Sequence, residues 1–235
     1  MAGGIVGGFP VEPDQSQETQ AMTDKARARL KQLVDPGRTA LLTMELQEAI
    51  VGSVAMLPAL PLEVARGGLL ETTAGLCAAA RSAGVRVVHC TLESRPDGAG
   101  ASQNCKLWTL REKQRLAGNA PDVSGSPGAG LALPLRAEPE DIVVPRLHGM
   151  TPFTSTSLDQ ILRNLGVATV IVTGVSVNLG IMGLCLTALD LGYQIVLVRD
   201  AVAGVPADYA QAVIENSLSL ITTVVTAQDV IAAWA

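Results

Sequence analysis

Residues 141–200 read DIVVPRLHGM TPFTSTSLDQ ILRNLGVATV IVTGVSVNLG IMGLCLTALD LGYQIVLVRD, and the order of patterns in this stretch decides the fold. Asp141–Pro145 is a short apolar run and reads as a strand. Ser157–Asn164 carries helical spacing. Ala168–Thr173 is a continuous run of small and β-branched residues, the pattern of a strand covered on both faces. A helix is expected from about Asn178, its N-cap, to Leu191, and a further strand over Gln194–Val198. Strand, helix, strand, helix, strand at these lengths predicts parallel strands joined by helical crossovers.

The alternation continues outward. Downstream, a helix is expected from Pro206 to Leu220, with the proline in its first turn. A strand over Ile221–Thr226 and a terminal helix to Ala235 follow. Upstream, Thr39–Leu46 (TALLTMEL) and Val85–Thr91 (VRVVHCT) are strands, separated by a helix over 63–83 that Gly84 ends. A charged helix over 24–34, capped by Asp24, stops at Pro36-Gly37. Residues 92–140 are the least regular, with one helix over 106–117 and then a Gly/Pro/Ser-rich loop. A segment this long inside a compact domain is usually functional. Residues 1–22 read as a flexible tail or oligomerisation arm, and 23–235 as one domain. The expected architecture is α/β, with a mainly parallel sheet of about six strands and helices on both faces.

Composition removes several function classes. Hydrophobic residues make up 48% and charged residues 17%, which excludes a disordered chain. Aromatics at 3%, a net charge of -5 and the lack of a Lys/Arg run argue against nucleic acid as a partner. No charge-free apolar stretch of membrane-spanning length occurs, so no membrane partner is expected. The N-terminus lacks a basic n-region and an apolar h-region, so it does not read as a signal peptide, and a cytoplasmic location is expected. The four cysteines form no CxxC and only two histidines occur, so free thiols are favoured and a metal site is poorly supported.

In parallel sheets ligands bind beyond the carboxyl ends of the strands. Glu45 ends the first strand. It is either an acid/base facing the crevice or a strand-end charge in solvent. Arg146 follows the third strand, where a permanent cation can hold an anion but cannot act as a base. His148 beside it reads as a loop hydrogen-bonder. Residues 173–180 (TGVSVNLG) join a strand to a helix. Gly174 permits an unusual backbone there, and the free N–H groups at the helix start can bind an oxyanion. Cys185 lies among apolar helix positions and reads as core. Cys90 ends the second strand, where it is either a catalytic thiol or, as the lack of a histidine positioned to activate it favours, a buried inert cysteine.

These segments together resemble the isochorismatase-like, or cysteine hydrolase, superfamily over roughly residues 38–232. The resemblance rests on LLTMELQEAI, on PFTSTSLDQILRNLGVATVIVTGVSVN and on GYQIVLVRDAVAG, in that order. It implies a Rossmann-like three-layer αβα sandwich, a hydrolase acting on a small molecule, and a homo-oligomer (dimer or tetramer). The family's catalytic set is an Asp, a Lys and a Cys. Glu45 matches the Asp and Arg146 lies nearest the Lys. Gly180 stands where the nucleophilic thiol belongs. The resemblance also implies a non-proline cis peptide at Val175–Ser176 and an oxyanion hole from the amides of Ser176 and Gly180. Gln47, Cys90, His148, Phe153, Val175, Ser176 and Asn178 complete the expected binding set. The His-rich motif of the metal-bearing amidase branches is missing after the second strand, so neither metal nor other cofactor is expected.

True isochorismatases also carry Gly at the thiol position and cleave a vinyl ether by acid catalysis. The resemblance therefore implies cysteine-independent acid/base hydrolysis of a small anionic metabolite, with Glu45 as acid and Arg146 holding a substrate carboxylate. Two alternatives stay open: an amidohydrolase with a relocated thiol such as Cys90, and a non-catalytic ligand-binding or assembly protein on the same scaffold.

Overall fold

The computed structural model describes residues 23–235; the expected tail or arm at 1–22 lies outside the described residues. In chain order the elements are α1 (Asp24–Leu33), β1 (Thr39–Met44), α2 (Glu48–Val51), α3 (Ala59–Arg66), α4 (Leu69–Ser82) and β2 (Arg86–Leu92). There follow α5 (Lys106–Leu116), β3 (Ile142–Arg146), α6 (Pro152–Ser155), α7 (Leu158–Asn164) and β4 (Thr169–Val175). The chain closes with α8 (Met182–Asp190), β5 (Gln194–Ala203), α9 (Ala207–Val213), α10 (Ser219–Ile221), β6 (Thr223–Val225) and α11 (Ala227–Trp234).

The strands form one six-stranded sheet in the order β3-β2-β1-β4-β5-β6, parallel at every pairing. Alternation along β1 explains both faces. Leu41 packs with α1, α3, α4 and α11 on one side, while Ala40, Leu42 and Met44 pack with α6, α7, α8 and α9 on the other. Leu41, Leu42 and Ile171 are fully buried, and each contributes about 1.5–3 kcal/mol relative to exposure. The strand order reverses direction between β1 and β4. A crevice opens at such a point beyond the carboxyl ends of the strands, so the fold sets the residues after Met44 opposite those after Val175.

Several boundaries differ from the sequence reading. The helix expected over 63–83 is two helices, because Gly67 ends α3 and Gly68, at φ 60°, starts α4. Thr23 caps α1 through its hydroxyl, and Asp24 sits in the first turn. The helix expected from Asn178 begins with a π-helical turn at Val177–Ile181, and its N-cap is Ser176. A second π turn, Ile214–Leu218, interrupts the helix expected over 206–220. The short helices α2 and α6 lie in stretches without helical periodicity, and β5 runs five residues past the expected end at Val198.

Candidate active site

The floor of the site is made by β1 and β4. Gly174 has φ 111°, and a Cβ at this position would run into the backbone of Met44. Only glycine therefore lets the two strand ends approach this closely. Just beyond Met44, Glu45 takes φ 54°, unusual for a residue with a side chain. Its N–H still donates to the Cys90 carbonyl at 2.9 Å, so the sheet ladder continues while the chain turns. The Glu45 carboxylate comes to lie against the Arg146 guanidinium, which donates to it through an NH2 nitrogen.

Arg146 lies beneath this carboxylate. Its side chain has no exposure, whereas that of Glu45 retains 13%. The Arg146 Nε donates to the Gly149 carbonyl at 3.1 Å. Glu45 thus lines a cavity of about 370 Å³ and Arg146 does not. The cavity also takes in Ser176, Asn178, Leu179 and Gly180 from the strand–helix turn. The Val175–Ser176 peptide is cis. The Ser176 hydroxyl donates to Asn178 Oδ1 at 3.0 Å, and the Asn178 amide donates to the Val205 carbonyl at 3.4 Å, which ties the turn to the end of β5. A Cβ at position 180 would sit 3.1 Å from Met44 Cε and 3.2 Å from the Val175 carbonyl oxygen.

The other wall comes from the irregular segment. Helix α5 supplies Leu107, Trp108 and Arg111, and the following loop supplies Asp122. Arg111 pairs with Asp122 and stacks over the Trp108 ring, 5.5 Å from its centroid. Ser94, just past β2, donates its hydroxyl to Asp122 at 3.2 Å, and its N–H to the Asp122 carbonyl at 2.9 Å. Burial pushes Arg111 down to about 10; Glu45 acts to raise it and Arg146 to lower it. Arg111 therefore shares one electrostatic environment with the Glu45–Arg146 pair. Sequence reasoning missed Trp108, Arg111 and Asp122. The available signal was an aromatic and a cation three residues apart on one helix face, inside a segment too long to be idle.

The remaining sequence candidates lie elsewhere. Gln47 is buried and holds the fold together: its amide donates to the carbonyls of Leu92 and Ala129 at 2.9 Å each, and its Oε1 accepts from the Leu92 N–H at 2.7 Å. Phe153 packs in the core against Tyr193, with ring centroids 5.5 Å apart. Val175 is fully buried, and His148 is exposed outside the cavity. Cys90 is buried in the apolar cluster of the α8 face and does not line the cavity. Burial pushes its thiol up to about 12, against a lowering by Arg146, with a smaller raising by Glu45. Arg146, read from sequence as a carboxylate clamp, is instead covered by Glu45. Among the described residues no group of three or more His, Cys, Asp or Glu side chains is placed to hold a metal ion, and no helix is long and apolar enough to cross a membrane.

A six-stranded parallel sheet with a carboxylate, a cation and a Gly-containing turn at its carboxyl edge forms an open α/β site of the kind that binds small ligands. The isochorismatase domain model matches residues 39–229, and the chain belongs to this family of isochorismatase-like hydrolases. It is 29% identical over 185 residues to a ureidoacrylate amidohydrolase RutB from Pseudomonas savastanoi pv. phaseolicola, covering 75% of each chain. It is 32% identical over 162 residues to streptothricin hydrolase from Streptomyces noursei, covering 69% of this chain and 48% of that one. A solved isochorismatase family protein from Desulfovibrio vulgaris superposes with a TM-score of 0.68 at 30% identity, covering 81% of this chain and 94% of the other.

Proposed function

We propose that this protein hydrolyses a small anionic metabolite by acid/base chemistry without a cysteine nucleophile, with Glu45 as the proton-transferring group. The observation that carries the reading is the placement of Glu45. It is the carboxylate at the cavity floor, held by a guanidinium that is itself out of reach of a ligand. Among the described residues no cysteine lines the cavity: residue 180 is glycine, and Cys90 is buried and reluctant to ionise. A protonated Glu45 would donate to the substrate, and water would attack the cation that results. As a carboxylate it would take the proton from an attacking water. Arg146 acts as a positioning residue that fixes the carboxylate. The amides of Ser176 and Gly180 would stabilise developing negative charge.

The name of the ureidoacrylate amidohydrolase relative favours an amide-type bond over a vinyl ether. In that case Glu45 serves as base toward water. A panel of vinyl ethers, amides and ureides assayed with the wild type and Glu45→Gln tests the reading. Equal turnover by the two proteins on every hydrolysed substrate removes Glu45 from the mechanism. We infer in addition that the chain forms a homo-oligomer, supported by exposed Leu186, Leu189 and Leu220. A mass near 24 kDa by light scattering at micromolar concentration would overturn this.

A further inference from the structure

The cavity presents one cation of unspent capacity, and it is not the one at the sheet edge. Arg146 is covered, and its guanidinium is engaged by Glu45 and by the Gly149 carbonyl. Arg115 is held at both Nε and NH2 by the Glu112 carboxylate, at 2.7 and 2.8 Å. Arg111 differs. Among the described residues its guanidinium makes a single hydrogen bond, from NH2 to Asp122, while the side chain keeps 16% exposure into the cavity it lines. A guanidinium carries five N–H donors in a planar fork suited to a carboxylate. Four of the five are thus without a protein acceptor. The fork is already oriented, by Asp122 on one edge and by the Trp108 face, and Asp122 is in turn anchored by Ser94. The walls include apolar Ile50, Leu57, Leu60, Leu107 and Leu179, and the carboxylates that also line the cavity, Glu45, Glu112 and Asp122, are each paired with an arginine. A desolvated cation among apolar walls favours an acceptor that enters with a negative charge.

We propose that Arg111 receives the anionic group of the substrate while Trp108 and the leucines hold an apolar body, so that the substrate class is a small carboxylate with a compact hydrophobic or aromatic portion. This rests on the hydrolase reading for its biological sense, but binding itself can be measured without turnover. The probes are benzoate and benzamide, alike in shape and different in charge, titrated calorimetrically into the full chain. The wild type is expected to bind benzoate at least tenfold more tightly than benzamide. Arg111→Met removes that preference, and Arg111→Lys retains part of it because a charge remains without the fork. Trp108→Ala weakens both probes to a similar extent. Glu45→Gln retains the preference for benzoate, so loss of turnover in that variant and loss of anion binding in Arg111→Met report on separate claims.

Arg111→Met leaves Asp122 without its cation and its fold is at risk. The double variant Arg111→Met/Asp122→Asn removes both charges and is expected to show the same loss of preference. The proposal is overturned if the wild type binds the two probes equally, or binds neither at millimolar concentration. It is equally overturned if a folded single or double variant keeps the tenfold preference.

Discussion

Two polar clusters lie within a few residues of each other along β1, and they have opposite characters. On the α4 face, the Thr43 hydroxyl and His89 Nδ1 are 2.7 Å apart, and His89 Nε2 lies 3.2 Å from Asp141. Asp141 also accepts from Arg81 at 2.6 and 3.1 Å, and from the Glu138 N–H at 2.8 Å. A carboxylate only accepts, so the imidazole proton sits on Nε2 and Nδ1 accepts from Thr43. Hydroxyl, imidazole and carboxylate in series is the makeup of a nucleophilic triad. Here it is sealed: Thr43 is 1% exposed and His89 0%, and neither lines a cavity. At the carboxyl edge, Glu45, Arg111 and Asp122 also form ion pairs but border about 370 Å³ of open space, with Arg146 beneath Glu45. Chemical makeup alone does not mark a site, since structural ion-pair networks perturb titration as active sites do. Position at the strand-order reversal and donors left unpaired distinguish the open cluster from the closed one.

The sharpest way to break this contrast is to neutralise one carboxylate in each cluster. Glu45→Gln keeps size and hydrogen bonding and removes the titrating proton. Turnover per folded molecule is expected to fall about 10²–10⁴-fold, with some loss of stability because the buried Arg146 loses its counter-charge. Asp141→Ala should do the reverse. It strips acceptors from His89, Arg81 and the Glu138 N–H, at about 1–3 kcal/mol for a buried group left unpaired, while activity per folded molecule stays at the wild-type level. Denaturant titration and initial rates on the same samples decide it. A hundredfold activity loss in Asp141→Ala would mean that the sealed cluster takes part in the chemistry.

A smaller effect concerns the thiols. Burial pushes Cys77, Cys90 and Cys185 all up to about 12, while Cys105 is exposed. Iodoacetamide on the folded protein should label Cys105 and leave the other three unmodified, read by peptide mass mapping. Gly180→Cys should add a labelled site in the cavity, at a cost of about 1–3 kcal/mol because Met44 must give way. Rapid labelling of Cys90 in the wild type would revive the relocated-thiol mechanism.

The sheet was legible because β1, β4 and β5 are long buried runs whose apolar character survives any neighbour, and the crossover helices between them have clear periodicity. That Glu45 and the 176–180 turn border the cavity was legible because strand ends in such a sheet face the crevice. What failed did so for tertiary reasons. Gln47 is polar and next to Glu45, but its amide is taken up by backbone groups 45 and 82 residues away along the chain. Arg146 has the right charge at the right strand end, yet the left-handed turn at Glu45 lays the carboxylate over it. Trp108 and Arg111 sit on a helix that the sequence located, but the face α5 turns to the sheet depends on how residues 92–140 fold back.

The smallest expected effect is a decline in stability between pH 6.5 and 5 that belongs to the sealed cluster, whereas below pH 4 Asp97, Glu112 and Asp159, held low by arginine partners, contribute with Asp141. Burial holds His89 below the usual histidine value, and the Asp141 hydrogen bond only partly offsets this. In the unfolded chain the imidazole takes a proton near pH 6.5. In the folded chain it does so only at lower pH. Between those two values the unfolded state binds more protons, so stability drops as pH falls below about 6.5 and is complete above it. For Asp141 burial works upward, but hydrogen bonds from Arg81, Glu138 and His89 hold the carboxyl below its usual value. Its contribution is present above the unfolded carboxylate range and is lost in a separate step at more acidic pH. The urea midpoint should therefore be level from pH 8 to 7, decline from 6.5 to 5, and decline again below 4. His89→Gln removes the titrating ring while keeping a donor and an acceptor, and should be level from pH 7 to 5. A shared slope in wild type and His89→Gln would assign the pH dependence to other groups and leave the Thr43–His89–Asp141 string as packing rather than electrostatics.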